Sequence, residues 1–524
     1  MSNKKTAVAA AVALAVVAYG GTTWYTGQRA EAGYKQAVAE LRKVLGEKVV
    51  VTDEYHKGFL SSQAKLVLQW PAAEAEAADT AKTAETAETA DVAKAADTAE
   101  TPAAAAEPVA ASKPVRLVVD TTVRHGPLAG GRLAAAVSET HFALDGLDEK
   151  SAQILAKAAA PTLTSVHHFT GGQDVRLLLP AGELGDQEVT MRWQEMVLDT
   201  ALGGGSVKGT WRWPEVALLG LPSRDKSMGA EEEEGEEEES DNDEALPTQP
   251  AAVPVERTSI MLTGLESSFE NKVIDGLWGL GPGKASVRIA RFGMSSTPAE
   301  GGEAKTLLDL KNVDGSSVIE SDKTTLGMTT QVKGTGRIGP IDFESVGYEE
   351  KIQRLDIEAL RGFQRIMVEG YRKEGLAKAL ESLEEQGMGV LMQNAPRLVA
   401  ALPAYSMKLQ ATYQGQTGHL EYGAEVQSAP TQEQVAQAGW MPALLKTSAL
   451  QANASLPKAW LEPLIKASGK PDVTAEDVEG MLGMAQATGY ARLEGDKLVS
   501  ALKMQAGQVT LNGKPIALPM GALQ

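Results

Sequence analysis

An apolar side chain at every second position, interrupted at short intervals by Gly, Pro, Asn or Asp, recurs from Lys48 to Ile516, and nothing else in the chain limits its fold so far. Period two puts one set of side chains on one side of an extended strand. Strands are predicted at Lys48–Tyr55, Phe59–Trp70, Val115–Arg124, Arg132–Leu144, Ser165–Leu179, Glu188–Leu198 and Ser206–Trp213, the last with Trp211 and Trp213 on one face and Arg212 on the other. The pattern continues at Arg257–Leu265, Ala285–Ser295, Lys305–Leu310, Ser316–Glu320, Thr325–Lys333 and Ile341–Ile357. It returns at Ala404–Tyr413, His419–Ser428, Ser448–Leu456, Gly489–Glu494, Lys497–Ala506 and Gln508–Ile516. Within that span helical spacing is confined to Asp148–Ala160, Leu355–Arg372, Leu376–Gln386, Gly389–Val399, Lys458–Ala467 and Thr474–Ala487. Long strands in series, with helices inserted late, predict an α+β fold: an N-terminal transmembrane helix, then a β-rich, mainly antiparallel body with inserted helices. Alternating βαβ units are disfavoured.

The N-terminus reads as an address. Lys4 and Lys5 precede a run without charges from Thr6 to Gln28, whose apolar heart extends from Ala7 to Tyr19. Residues 1–28 are expected to form a signal anchor, with Ala7, Leu14, Val17 and Tyr19 in the span and Trp24 and Tyr25 at the membrane exit. A cleaved signal peptide is the rival, with Val16 and Ala18 as the small residues before the cut. Either way the body belongs in the periplasm; the anchor reading adds a single pass through the bacterial inner membrane with a cytoplasmic N-terminus. Ala30, Tyr34, Val38, Leu41 and Leu45 then line one side of a helix, read as a stalk that packs on the adjoining domain, with a dimerising coil or a membrane-surface helix as alternatives.

Net charge of −19 is a local matter. Ala72–Lys113 holds nine acids and three Lys, Glu231–Glu244 holds eleven acids and no base, and the remainder is close to neutral at −2. Both stretches lack large apolar groups and are expected to be disordered insertions. The organisation expected is an anchor (1–28), a stalk and first hairpin (29–70), an Ala/Thr/Glu-rich insertion (71–114), a first β-rich half (115–220), an acidic insertion (221–256) and a second β-rich half with helical insertions (257–524). No basic surplus points to nucleic acid, and the absence of Cys excludes disulfides and thiol chemistry.

Catalytic patterns are not found. The six His residues show no metal spacing, and His167 and His168, adjacent on a strand, point to opposite faces. Gly334-Thr335-Gly336-Arg337-Ile338-Gly339 matches a dinucleotide fingerprint by letter, but Pro340 and a further extended run occupy the place where a helix should open, so a hairpin turn is the better reading. No cofactor is expected.

Several strings resemble those of the YdgA family, bacterial envelope proteins of unassigned function: Gly20, Trp24, Thr26 and Gly27; Tyr55-His56-Lys57-Gly58-Phe59-Leu60-Ser61-Ser62; His125-Gly126-Pro127; and Asn512-Gly513-Lys514-Pro515. The resemblance implies an inner-membrane anchor and a periplasmic body, and it brings no catalytic residues. Tyr55–Ser62 also reads as a tight hairpin, and His125 as a turn or sheet-edge residue.

The expected function is noncatalytic: a scaffold, or a binder of lipid or another apolar ligand, in the envelope. An unfilled apolar sheet face would favour lipid and a fully packed core would favour scaffolding. The inner membrane, a lipid, an envelope protein and a second copy of the chain are the partners in view. The alternative is a hydrolase of envelope polymers using Asp120, His125 and Glu139, which requires those groups to converge in a cleft.

Overall fold

The structure is a computed structural model and describes residues 30–46, 49–57, 61–70, 114–125, 131–185, 189–222, 256–274, 280–298, 302–374, 389, 393–467 and 472–516. Strands in chain order are β1 (Val50–His56), β2 (Ser61–Gln69), β3 (Arg116–His125), β4 (Ala136–Asp145), β5 (Thr162–His167), β6 (Gln173–Leu179), β7 (Gly182–Gly185), β8 (Thr190–Trp193), β9 (Met196–Gly203), β10 (Ser206–Pro222) and β11 (Arg257–Lys272). They continue with β12 (Gly283–Thr297), β13 (Lys305–Ser321), β14 (Thr325–Ile338), β15 (Ile341–Asp356), β16 (Ala404–Tyr413), β17 (Gln416–Val426), β18 (Ser448–Pro457), β19 (Arg492–Glu494), β20 (Lys497–Gln505), β21 (Gln508–Leu511) and β22 (Lys514–Ile516). The helices include α1 (Ala30–Leu45), α2 (Glu149–Leu155), α3 (Ile357–Glu374), α4 (Gln432–Ala438), α5 (Trp440–Thr447), α6 (Leu461–Ala467) and α7 (Ala475–Ala487).

These strands form one sheet in which every pairing is antiparallel. β1 to β6 pair in succession, β6 passes to β9, and β9 to β18 again pair neighbour to neighbour before β18 joins β20, β21 and β22. β7 and β8 form a side hairpin on β10, and β19 pairs with β20.

A change of phase explains how strands as long as β10 to β15 keep one apolar side. The apolar positions of β10 run Trp211, Trp213 and then Val216, Leu218; those of β12 run Val287, Ile289 and then Phe292, Met294. β11 steps from Leu262 to Leu265, β13 from Leu310 to Val313 and β15 from Phe343 to Val346. These steps of three lie at one level of the sheet, since Trp213 faces Leu265 and Ile289 faces Val313. An unbroken strand would send the second set to the opposite face; an extra residue in each strand brings it back. The ladder shifts register between Lys311 and Asp314 and between Gly334 and Gly336. Gly264 and Asn312, at φ 64° and 50°, mark the same line.

The first half of that face is a core. Tyr34, Val38, Leu41 and Leu45 of α1 pack among Leu66, Leu68, Leu117, Val119, Phe142, Leu163, Val175, Leu177 and Met196, with Trp211 and Trp213 at the margin. Arg42 of α1 is tied to the Asp53 carboxylate and donates to the carbonyl of Val51 at 3.1 Å, which fixes the helix against β1.

The expected α+β class is overturned: the body is mostly one antiparallel sheet, with helices packed on it and between its strands. Strands expected to stop at Trp213, Leu265 and Leu310 run on to Pro222, Lys272 and Ser321. All three expected ends fall on the phase change, where a bulge mimics the end of an alternating run. Among the described residues no helix is long and apolar enough to cross a membrane. The expected span with Ala7, Leu14, Val17, Tyr19, Trp24 and Tyr25, and both expected insertions apart from their edge residues, lie outside the described residues.

Candidate functional site

Beyond β10 the same apolar face continues, and among the described residues no helix packs closely on β16 or β17. Direct opposition across the ladder puts Val332, Tyr348, Leu409, Leu420 and Ala454 in one row, and Thr330, Glu350, Met407, Tyr422, Ala452 and Leu502 in the next. A third row holds Met328, Ile352, Tyr405, Ala424, Leu450 and Met504. At about 4.8 Å per strand, β14 to β18 carry these rows over roughly 19 Å. Leu409 and Leu420 are each 41% exposed and Tyr422 is 38% exposed, whereas Leu68 in the covered half is 0% exposed.

Two covers define the margins of the open stretch. At one, Leu326 and Ile357 of β14 and α3 are buried with Ile319 and Leu360 against them. At the other, the buried Trp460 stands with its ring centroid 5.9 Å from Phe343 and 6.3 Å from Tyr413, and its indole N–H donates to the Tyr413 carbonyl at 3.3 Å. Gly418 is required beneath it: a Cβ there would approach the Trp460 ring to 2.7 Å.

The opposite face is polar and laced by ion pairs, including Lys208–Glu270 at 2.6 Å, Arg288–Asp314 at 3.0 Å and Lys408–Glu421 at 2.8 Å. It includes an open cleft of about 950 Å³ whose charges are largely paired, Arg176 with Asp199 and Lys208 with Glu270. The sheet is therefore amphipathic: one side charged, the other apolar.

Glu350 departs from that rule. It occupies the apolar phase of β15, between Tyr348 and Ile352 and directly across from Thr330 and Met407. The phenols of Tyr348 and Tyr405 are both held above the ordinary tyrosine range, by desolvation first and then by Glu350. The Tyr405 and Tyr422 rings are 6.0 Å apart and tilted by 55°.

The family strings meet only in part. Tyr55 stacks on Tyr34 at 5.3 Å, and Ser62 is buried across from Val123. His125 pairs with Ala136, which pairs with the buried His167, so the backbone at 125 ends at the same corner as Ser62. Its side chain and Gly20, Thr26, Gly27, Gly58, Phe59, Gly126 and Pro127 lie outside the described residues. Asn512 and Gly513 form the turn between β21 and β22, far along the chain from that corner. Asn512 accepts from the Ala501 amide at 2.9 Å and donates to the Gly489 carbonyl at 2.8 Å, binding three backbone segments together.

Asp120 stands opposite Lys65 and His141, and Glu139 opposite Thr122 and Thr164, both in the polar phase of their strands. They share an outer surface, not a cleft. Among the described residues no group of three His, Asp or Glu could hold a metal. Sequence reasoning missed Glu350 and its tyrosines, although an acid in phase with Val346, Tyr348 and Ile352 was a readable signal.

A family model described as a bacterial protein of unknown function (DUF945) matches residues 3–519. No curated protein and no solved structure matches the chain.

Proposed function

The chain belongs to this bacterial DUF945 family, and from that premise we propose that it binds lipid, laying the acyl chains along the open stretch of its apolar sheet face. One observation carries the reading: Leu409, Leu420 and Tyr422 are exposed on a face that is elsewhere core, while the other face is saturated with ion pairs. Contiguous exposed apolar surface of this extent marks a binding site. The ladder is paired on both sides through β11 to β18, so an occupant gains nothing from strand addition and must be held by apolar contact. Noncatalytic binding needs no convergent acid and base.

The uncharged run after Lys4 and Lys5 supports an address in the bacterial envelope with the body in the periplasm. The order of the motif strings supports a nearer kinship with the YdgA family. A membrane lipid is the partner this reading selects, ahead of an envelope protein or a second copy.

The test is lipid content. Full-length protein purified in mild detergent should carry acyl lipid above a matched control, and Leu409→Asp with Leu420→Asp should lower the load about tenfold with an unchanged melting temperature. A wild-type load no higher than the control would end the lipid reading.

A further inference from the structure

We propose that Glu350, with Tyr348, Tyr405 and Tyr422, recognises the ammonium of a lipid head group, so that the lipid held is zwitterionic and amine-bearing. This rests on the lipid-binding function and gives it a substrate class.

Among the described positions from β12 to β18, Glu350 is the one acidic or basic side chain in the apolar phase. A carboxylate set among Ile352, Met407 and Tyr348 is the group on this apolar surface that attracts a cation. Its neighbours on that face are the Tyr348 and Tyr405 phenols, which carry no positive charge to set against it. The neighbouring lysines do not neutralise it: Lys351 and Lys408 sit in the polar phase, bound to Glu349 and Glu421.

One carboxylate beside two tyrosines, with the Tyr422 ring 6.0 Å beyond that of Tyr405, is the chemistry that holds an ammonium. The charge pairs with the acid, and the N–H or N–CH₃ groups lie against the negative faces of the rings. An anionic head group would be repelled at the same place. A free amine could satisfy the cluster, but the apolar floor on both sides of it, Leu409 and Leu420 in one row and Ala424 and Leu450 in another, selects an amine that comes with hydrocarbon.

The test uses full-length protein equilibrated with vesicles of equal phosphatidylethanolamine and phosphatidylglycerol with matched acyl chains, then re-isolated for quantification of both lipids. Wild type should favour the ethanolamine lipid about fivefold. Glu350→Gln, which keeps shape and removes charge, should bring the ratio to about one with total lipid unchanged. Tyr422→Leu, which keeps the carboxylate and removes a wall, should give an intermediate ratio, and it decides the matter if the first variant fails to fold. No preference in wild type, or a wild-type ratio in Glu350→Gln, overturns the head-group assignment and leaves the lipid reading standing. Wild type that takes up neither lipid overturns both, a result distinct from the others.

Discussion

Strands β1–β10 and β11–β18 present the same kind of face, apolar on alternate residues, yet they use it differently. The first set closes on α1 and buries Leu66, Leu68, Leu117 and Val119 to 7% exposure or less; the second leaves Leu409 and Leu420 at 41%. The strand pattern is the same in both, so alternation decides which side of a sheet is dry and says nothing about what will cover it. Coverage comes from a separate element, the α1 stripe of Tyr34, Val38, Leu41 and Leu45. Leu68→Ala should therefore cost about 2–5 kcal/mol, and Leu420→Ala no more than about 1 kcal/mol, since much of its side chain never left water. Urea unfolding of both variants measures the difference, and equal costs would dissolve the contrast between the halves.

Acid sharpens the same comparison, because the covered half contains a buried titratable group. His167 is 5% exposed, and its pKa is pushed down to about 4, by burial first and then by His168. The unfolded chain takes up this proton near pH 6.5, whereas the folded chain resists until about pH 4. Across that window the unfolded state binds more protons, so stability is full above about pH 6.5 and falls as pH drops toward 4, by roughly 3 kcal/mol from this residue. His167→Gln should flatten the dependence of the melting temperature between pH 7 and pH 4.5. An unchanged slope would show that other groups drive it.

The sequence makes the antiparallel sheet legible residue by residue: Trp211 and Trp213 share a face, Asn512-Gly513 turns a hairpin, and Thr474 caps α7 with Asp477 returning the bond. What it hides is continuity. Leu310 looks like the end of a strand because the next apolar residue, Val313, lies three positions on, out of alternation, and only the neighbouring strand, with its own step at Ile289, reveals a shared bend. The open site was hidden for a related reason. Exposure of Leu420 depends on where distant segments pack, whereas Glu350 could have been found from its phase alone.

The bend line gives a prediction intermediate in size. At φ 64° Gly264 adopts a backbone that favours glycine, and a Cβ there would come within 2.7 Å of the Ala290 Cβ. Gly264→Ala should cost about 1–2 kcal/mol from the left-handed backbone alone. If the line keeps the apolar face continuous between the halves, the variant should also lose lipid load without losing the α1 core, detectable as unchanged amide exchange protection in β2 and β3. Loss of protection there would mean that the two halves unfold as one unit and that the contrast is only of exposure.

The smallest effect belongs to the wet face. Lys408 and Glu421 bridge β16 and β17 at 2.8 Å with side chains 45% and 38% exposed, and each moves the other's titration: the amine is held above its ordinary range by the carboxylate, and the carboxylate below its own by the amine. Solvent screens such a pair, so the coupling from Lys408→Ala, Glu421→Ala and the double variant should be below about 1 kcal/mol and should shrink in high salt. These residues lie on strands that also carry Leu409, Leu420 and Tyr422, facing the other way. Removing the pair should consequently leave both the lipid load and the ratio of ethanolamine to glycerol lipid unchanged, since a strand separates its two faces by phase. A shift in that ratio would mean that charge on the wet face reaches Glu350 through the sheet, and the division into a structural and a binding side would no longer hold for these strands.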